Sequence, residues 1–229
     1  MKITFISDTH SLHSELDYQL PGGDMIIHAG DFMNSGSFWS EASDFLDWYS
    51  KLENYTHKIL IAGNHDRWFE RNMKEIPKKM SEYPNIRYLL DQRAIIGDIT
   101  LYGSPWQPEF MDWAFNLPRA GEDLKEKWFW IPETTDILIT HTPPQDHLDV
   151  SGPPWNTPHL GCELLRVKID EQPPKIHVFG HIHGGYGYKF HNGTHFINAS
   201  VLNESYKQVN DPITIEWDPN TNEIEFLET

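Results

Sequence analysis

Eight residues of this chain carry metal-ligand chemistry and are strung along it in small groups: Asp8 and His10, Asp31, Asn64 and His65, His141, and His181 and His183. They offer carboxylate or amide oxygen and imidazole nitrogen, with no thiolate among them. That donor set suits manganese, iron, zinc or magnesium better than soft copper. It also exceeds what one ion takes. Asp8, His10, Asp31 and His183 would fill one site and Asp31, Asn64, His141 and His181 a second, with Asp31 bridging. Paired ions of this kind serve phosphatases and nucleases, where they clamp an in-line displacement at phosphorus and generate hydroxide at neutral pH.

The elements that must position these groups are short apolar runs. Residues 3–7 end at Asp8, 25–30 at Asp31, 59–63 at Asn64 and His65, 137–140 at His141 and 176–180 at His181. Runs of strand length that are apolar almost throughout call for a sheet covered on both faces, and hence a layered α/β architecture. In open sheets of that kind the ligand crevice lies beyond the carboxyl ends of the strands. The five run ends are therefore expected to converge. His181 and His183 are two residues apart, so strand alternation would turn both imidazoles to one side.

Between the runs, the spacing predicts a helix over 38–52 with Phe38, Ala42, Phe45, Tyr49 and Leu52 on one stripe and Ser37 as N-cap. A second is expected over 158–170, opened by Thr157 as N-cap and Pro158 as first helical residue, with Leu160, Leu164 and Val167 on one side. A short one is expected near 122–130. Strand-turn-strand patterns near 186–190, 194–198, 212–217 and 223–227 predict mixed or antiparallel sheet edges. The single cysteine, Cys162, reads as a small helix residue.

Composition narrows the function. With 38% hydrophobic and 23% charged residues the chain is that of a folded globular protein. No stretch of about 18 apolar residues offers a bilayer span. Residues 1–5 enter a strand at once, so the expected location is cytoplasmic. Eighteen Lys plus Arg against 34 Asp plus Glu leave a net charge of −16, and Lys78-Lys79 is the densest basic feature. Long nucleic acid is disfavoured as a partner. A small anionic substrate remains compatible, since the two ions would supply a local positive field.

The motifs Asp8-Thr9-His10, Gly30-Asp31, Gly63-Asn64-His65-Asp66, Thr140-His141 and Gly180-His181-Ile182-His183 resemble, in order, those of the calcineurin-like metallophosphoesterases. Further stretches, among them Trp113-Ala114-Phe115-Asn116-Leu117-Pro118-Arg119 and His141-Thr142-Pro143-Pro144, are similar to the metallophosphoesterase-domain-containing phosphodiesterases nearly end to end. The resemblance implies a four-layer α/β/β/α sandwich of two mixed sheets flanked by helices, one domain over residues 1–229. It implies two divalent ions, manganese favoured, with the ligand sets given above. It leaves His65 unligated, to contact the phosphate and protonate the leaving oxygen. The implied activity is hydrolysis of small phosphodiesters, cyclic nucleotides (2′,3′ or 3′,5′) foremost, by in-line attack of a hydroxide held at the ions. A nuclease, a phosphomonoesterase and a nucleotide-binding protein with a vestigial metal site are the alternatives.

One departure bears on substrate. Protein Ser/Thr phosphatases of this superfamily continue their Gly-Asp motif as Gly-Asp-x-Val-Asp-Arg-Gly, whereas this chain reads Gly30-Asp31-Phe32-Met33-Asn34-Ser35-Gly36. Asn34 cannot stabilise an imidazolium by charge, and Ser35 cannot grip phosphate with a bidentate fork. A protein phosphatase is thereby demoted. The aromatic-rich region 104–135 is expected to serve either as packed surface or as a wall over the ions, with Trp106 or Phe115 stacking on a base and Asn116 reading its edge. Five prolines from Thr142 through Pro158 are expected to stiffen the loop beside His141. His13, His28, His57, His147, His159, His177, His191 and His195 read as structural or solvated.

Overall fold

In β1 (Lys2–Ile6) the side chains of Ile3 and Phe5 point to one face and those of Thr4 and Ile6 to the other, and all four are buried. Such a strand needs cover on both sides. The computed structural model describes residues 1–152 and 157–227, and it supplies that cover on each of two sheets. The first runs in the order β14 (Glu223–Leu227), β13 (Ile213–Asp218), β1, β2 (Gly23–His28), β3 (Tyr55–Leu60) and β4 (Ile86–Tyr88). The second runs β11 (Gly187–His191), β12 (Thr194–Asn198), β10 (Ile176–Phe179), β9 (Ile137–Thr140), β6 (Ile99–Ser104) and β5 (Gln92–Ile96). A small ladder pairs β7 (Gln107–Pro108) with β8 (Asn116–Leu117).

The layers follow from which face each apolar side chain takes. Ile3, Phe5, Ile27 and Ile59 of the first sheet pack against Leu101, Ile139, Val178 and Ile197 of the second, closing a dry seam between them. On the first sheet's outer face lies α1 (Trp39–Ser50), with α2 (Arg67–Arg71) and α3 (Ile76–Met80) beyond it. The second sheet's outer face is covered by α4 (Glu122–Phe129) and α5 (Glu163–Glu171), through Leu124, Trp128, Leu165 and Ile169. This is the expected α/β/β/α sandwich. The edges are mixed as expected, with β13, β14, β11 and β5 antiparallel to their neighbours.

What positions the site is the parallel part. β1, β2 and β3 pair in parallel, as do β6, β9, β10 and β12, so their carboxyl ends share one rim of the sandwich. A bridge from Ser7 to Ser200 joins the two sheets there.

Two helix expectations need correcting. The first helix starts at Trp39 with Phe38 as its uncapped N-cap residue; Ser37 does not cap it, and Phe38 is 69% exposed. Glu41 takes over the local polar work, its carboxylate accepting the N–H groups of Asn34, Ser35 and Gly36. The later helix begins at Glu163, not at Pro158, and Cys162 is its N-cap, Sγ accepting from the N–H of Leu165 at 3.4 Å. Its buried stripe is Leu165 and Ile169, while Leu160 and Val167 are exposed. Docking against Leu124 and Trp128 selects this phase, and the local period alone does not contain that contact. Of the expected proline-stiffened loop, Pro153 and Pro154 lie outside the described residues. Among the described residues no helix is long and apolar enough to cross a membrane.

Candidate metal centre

The strands stop just short of the polar groups, and irregular backbone carries them the rest of the way. Asp8, His10, Asp31 and His181 all have φ between +39° and +66°. A left-handed backbone at a residue other than glycine costs free energy and persists where surrounding contacts over-determine it. Here they do: the N–H groups of Asp8, His10 and Ser11 donate to the carbonyls of Gly30, Asp31 and Phe32. The loops after β1 and β2 are thus laced together. At His181 the positive φ breaks strand alternation, so His181 and His183 part company. His183 opens a short 3-10 turn through Gly184 and Gly185.

Three groups of ligand atoms interlock, each with its atoms within 4.8 Å of one another: Asp8, His10 and His183; His10, Asp31 and His65; and Asp31, His141 and His181. His183 Nε2 lies 3.3 Å from Asp8 Oδ1, and His141 Nε2 lies 3.3 Å from Asp31 Oδ2. Asn64 Oδ1 is 2.9 Å from His141 Nε2. Backbone carbonyls set the ring orientations. His141 Nδ1 donates to Ala29 O and His183 Nδ1 to Asn203 O, each at 2.9 Å, which leaves both Nε2 atoms facing the centre. His65 Nδ1 donates to the Asn34 carbonyl at 2.7 Å, so the group that orients it is a backbone oxygen, not the Asn34 side chain.

The protonation preferences of these side chains follow from this crowding. Burial disfavours the His141 imidazolium, yet the charge and hydrogen bond of Asp31, with Asp8 behind, raise it to about 9. Burial opposes the His183 imidazolium too, and its hydrogen bond to Asp8 overcomes that and raises it to about 9. Burial lowers His10 to about 4 and His181 to about 3. Burial alone would raise Asp8 and Asp31, but their imidazole partners outweigh it and hold both below the usual carboxylate range. The neighbouring carboxylates thus favour the protonated forms of His141 and His183 when no cation is bound.

The residues fit a pair of divalent ions on independent grounds. His10 is 4% exposed and neither ring nitrogen has a hydrogen-bond partner, an expensive state unless a group outside the chain bonds it. The backbone is also pared away beside the ligands. A Cβ on Gly63 would collide with Asp31 Oδ1, and one on Gly180 with Asp8 Oδ2.

Residues 1–185 match the calcineurin-like phosphoesterase family. The chain belongs to that family. The phosphoesterase is 42% identical to human metallophosphoesterase domain-containing protein 1 over 232 residues, 92% of this chain and 69% of the relative. Its fold is similar to that of TT1561 of Thermus thermophilus, with a TM-score of 0.67 at 15% identity over 98% of this chain and 97% of that one. An archaeal phosphodiesterase shares the fold at a TM-score of 0.50 and 12% identity, over 99% of each chain. Members of the family use a dinuclear divalent metal site.

Beside His181 and His183 the phosphoesterase has a cleft of about 280 Å³, walled by Phe110, Arg119, Glu204 and Tyr206. The expected substrate readers Trp106 and Asn116 are not in its lining. Trp106 Nε1 donates to Asp91 at 2.8 Å, with the Lys127 ammonium 4.4 Å from its ring. The Asn116 amide is spent inside its own loop: Oδ1 accepts from Gln107 Nε2 and Nδ2 donates to the carbonyls of Phe110 and Met111. Phe115 is fully buried. A stretch dense in aromatics does not reveal which rings the loop folds inward.

Sequence reasoning missed Tyr206 altogether. It sits at φ +54° with its ring 4.9 Å from that of His10 and 5.4 Å from that of His183. No motif marks it. Its only local signal is that a bulky residue rarely takes this backbone, and that is invisible before folding.

Proposed function

We propose that this phosphoesterase is a two-metal phosphodiesterase acting on small diesters, cyclic nucleotides foremost. The observation that carries the reading is the interlocking of three Asp/His groups through Asp31 and His10, with His10 buried, its Nε2 3.8 Å from Asp31 Oδ2 and neither ring nitrogen hydrogen-bonded. Asp8, His10, Asp31 and His183 would hold one ion and Asp31, Asn64, His141 and His181 the other, manganese being favoured by the oxygen and imidazole donors. When bound, such ions supply Lewis acidity and a water of lowered pKa.

The chain's own groups do the rest. Asp31 is held for its shared role by donors on both sides: its Oδ1 accepts the His65 N–H at 2.6 Å, leaving Oδ2 toward His141. With Nδ1 fixed on the Asn34 carbonyl, His65 exchanges its proton at Nε2 and delivers it to the leaving oxygen.

Electrostatics favour a diester over a monoester. A monoester dianion wants a free guanidinium fork. Arg119 in the cleft wall is already committed to the carbonyls of Leu160 and Gly161 and to Glu163, while Glu204 and Glu109 add negative charge nearby. The same carboxylates, with the net charge of −16, weigh against long nucleic acid. The phosphodiesterase among the fold relatives is in keeping with this reading. The test is a panel of cyclic mononucleotides, linear diesters and monoesters assayed with manganese, products separated by chromatography. Preferential turnover of monoesters would overturn the diester reading, and inertness to the whole panel would overturn the enzyme.

A further inference from the structure

The excursion between β6 and α4, which carries the short β7 and β8, is sewn onto the segment that carries His65. Ala114 N–H donates to the carbonyl of Asn64 at 3.0 Å, Phe115 N–H donates to Glu70 Oε1 at 2.6 Å, and Arg67 Nη2 donates to the carbonyl of Asp112 at 3.0 Å. Between these stitches Trp113 lies flat on His65. Their ring centroids are 3.9 Å apart at an interplanar angle of 24°. The Arg67 guanidinium in turn sits 4.2 Å from the Trp113 ring centroid.

The imidazole of His65 has one hydrogen-bonded tether among the described residues, Nδ1 to the Asn34 carbonyl, so that a carbonyl and not a carboxylate holds that nitrogen. A single in-plane hydrogen bond to a carbonyl fixes where the nitrogen points but tolerates tilting of the ring about that bond. A parallel aromatic face removes the tilt, because separating or canting the two rings loses dispersion contact. The ring of His10, edge-on at 4.5 Å and 82°, limits it from another direction. The two constraints are complementary: one sets direction and the other sets plane.

We propose that Trp113 is a positioning residue for the proton transfer by His65, acting through the stacked imidazole without touching the phosphorus. This rests on the reading of His65 as proton donor. It also gives the 104–135 region a role: its backbone clamps Asn64 and its indole orients the neighbouring histidine.

The test compares Trp113→Leu, which cannot stack, with Trp113→Phe, which can, in manganese-loaded enzyme. The substrates are bis(p-nitrophenyl) phosphate, whose leaving group needs little protonation, and a 2′,3′-cyclic nucleotide, whose alkoxide needs it. Trp113→Leu is expected to lower kcat on the cyclic nucleotide about ten- to a hundredfold, with a markedly smaller loss on the activated diester and KM within about twofold. Trp113→Phe should recover most of it. In the His65→Ala background, Trp113→Leu should add nothing. In histidine-selective NMR of the metal-free protein, the upfield ring-current shift of the His65 ring protons should be present in the parent and lost in Trp113→Leu. Equal losses on both substrates, an additive double variant, or an unchanged His65 shift would overturn the role of Trp113. If His65→Ala itself showed no leaving-group dependence, the proton-donor reading would fall first, and the inference with it.

Discussion

Asp66 Oδ2 accepts the backbone N–H of Asp31 at 3.0 Å, and so the residue that follows His65 holds in place the backbone from which the Asp31 carboxylate projects. The same oxygen accepts from Gly63 N–H at 2.7 Å, and Oδ1 from Met33 N–H at 2.9 Å. One buried carboxylate thus ties the loop after β2 to the loop after β3. Asp66→Asn replaces one acceptor oxygen with an amide that meets an N–H head-on. We expect a loss of about 1–3 kcal/mol in stability, from leaving a buried donor unsatisfied, and about 10–100-fold weaker metal binding. Urea unfolding of the metal-free protein and metal titration would measure them. Unchanged values in both would remove Asp66 from this role.

Metal uptake should expel protons. His141 and His183 are held at about 9 in the metal-free centre, so below that pH each carries a proton that a ligand nitrogen must give up. Affinity therefore rises with pH toward 9. Calorimetric titration at pH 7 in two buffers of different ionisation heat should show release of about two protons per chain. A heat independent of buffer would contradict the paired-proton state.

Stability of the metal-free protein should fall on both sides of neutrality. His141 and His183 have folded values above the ordinary 6.5, so their contribution is complete below about 6.5 and is lost as pH rises through about 9. On the acid side the sign reverses. Burial lowers His28 to about 3 and His147 to about 4, and holds His177 well below 6.5. Between 6.5 and about 4 the unfolded chain binds protons that the native state refuses, so stability falls with falling pH, by up to about 1.4 kcal/mol per pH unit for each group. His147 is stacked 3.8 Å from Phe196 with neither nitrogen bonded. His147→Leu should flatten the acid limb, as read from denaturant midpoints at pH 7, 6 and 5.

Ligand removal should separate roles that the sequence assigns together. Asp31→Ala is expected to leave fewer than two ions bound, because Asp31 belongs to two of the three interlocking ligand groups and is shared by the two proposed sites. His65→Ala should retain two and lose turnover, most severely for poor leaving groups, by about 10²–10⁴-fold. His181 and His183 lie in different clusters, so His181→Ala and His183→Ala should each weaken one ion more than the other. Metal content by elemental analysis decides all four. Full occupancy in Asp31→Ala would end its bridging assignment.

Much of this protein was legible in the chain because its site is built on a repeated local device. Five apolar runs each end at a metal-ligand residue, and parallel strands place their carboxyl ends on one rim whatever their order, so Asp8, Asp31, Asn64, His141 and His181 converge without knowledge of the topology. Side-chain type and spacing were enough for that. The helical phase of Glu163–Glu171, the tie of Trp106 to Asp91, the backbone tether of His65 on Asn34 and the arrival of Trp113 and Tyr206 were not legible. Each depends on a contact between residues far apart in the chain, or on a backbone angle that only those contacts sustain. The donor set is therefore a property of the sequence, whereas the orientation of each donor, and the choice of aromatic that faces the centre, belong to tertiary packing.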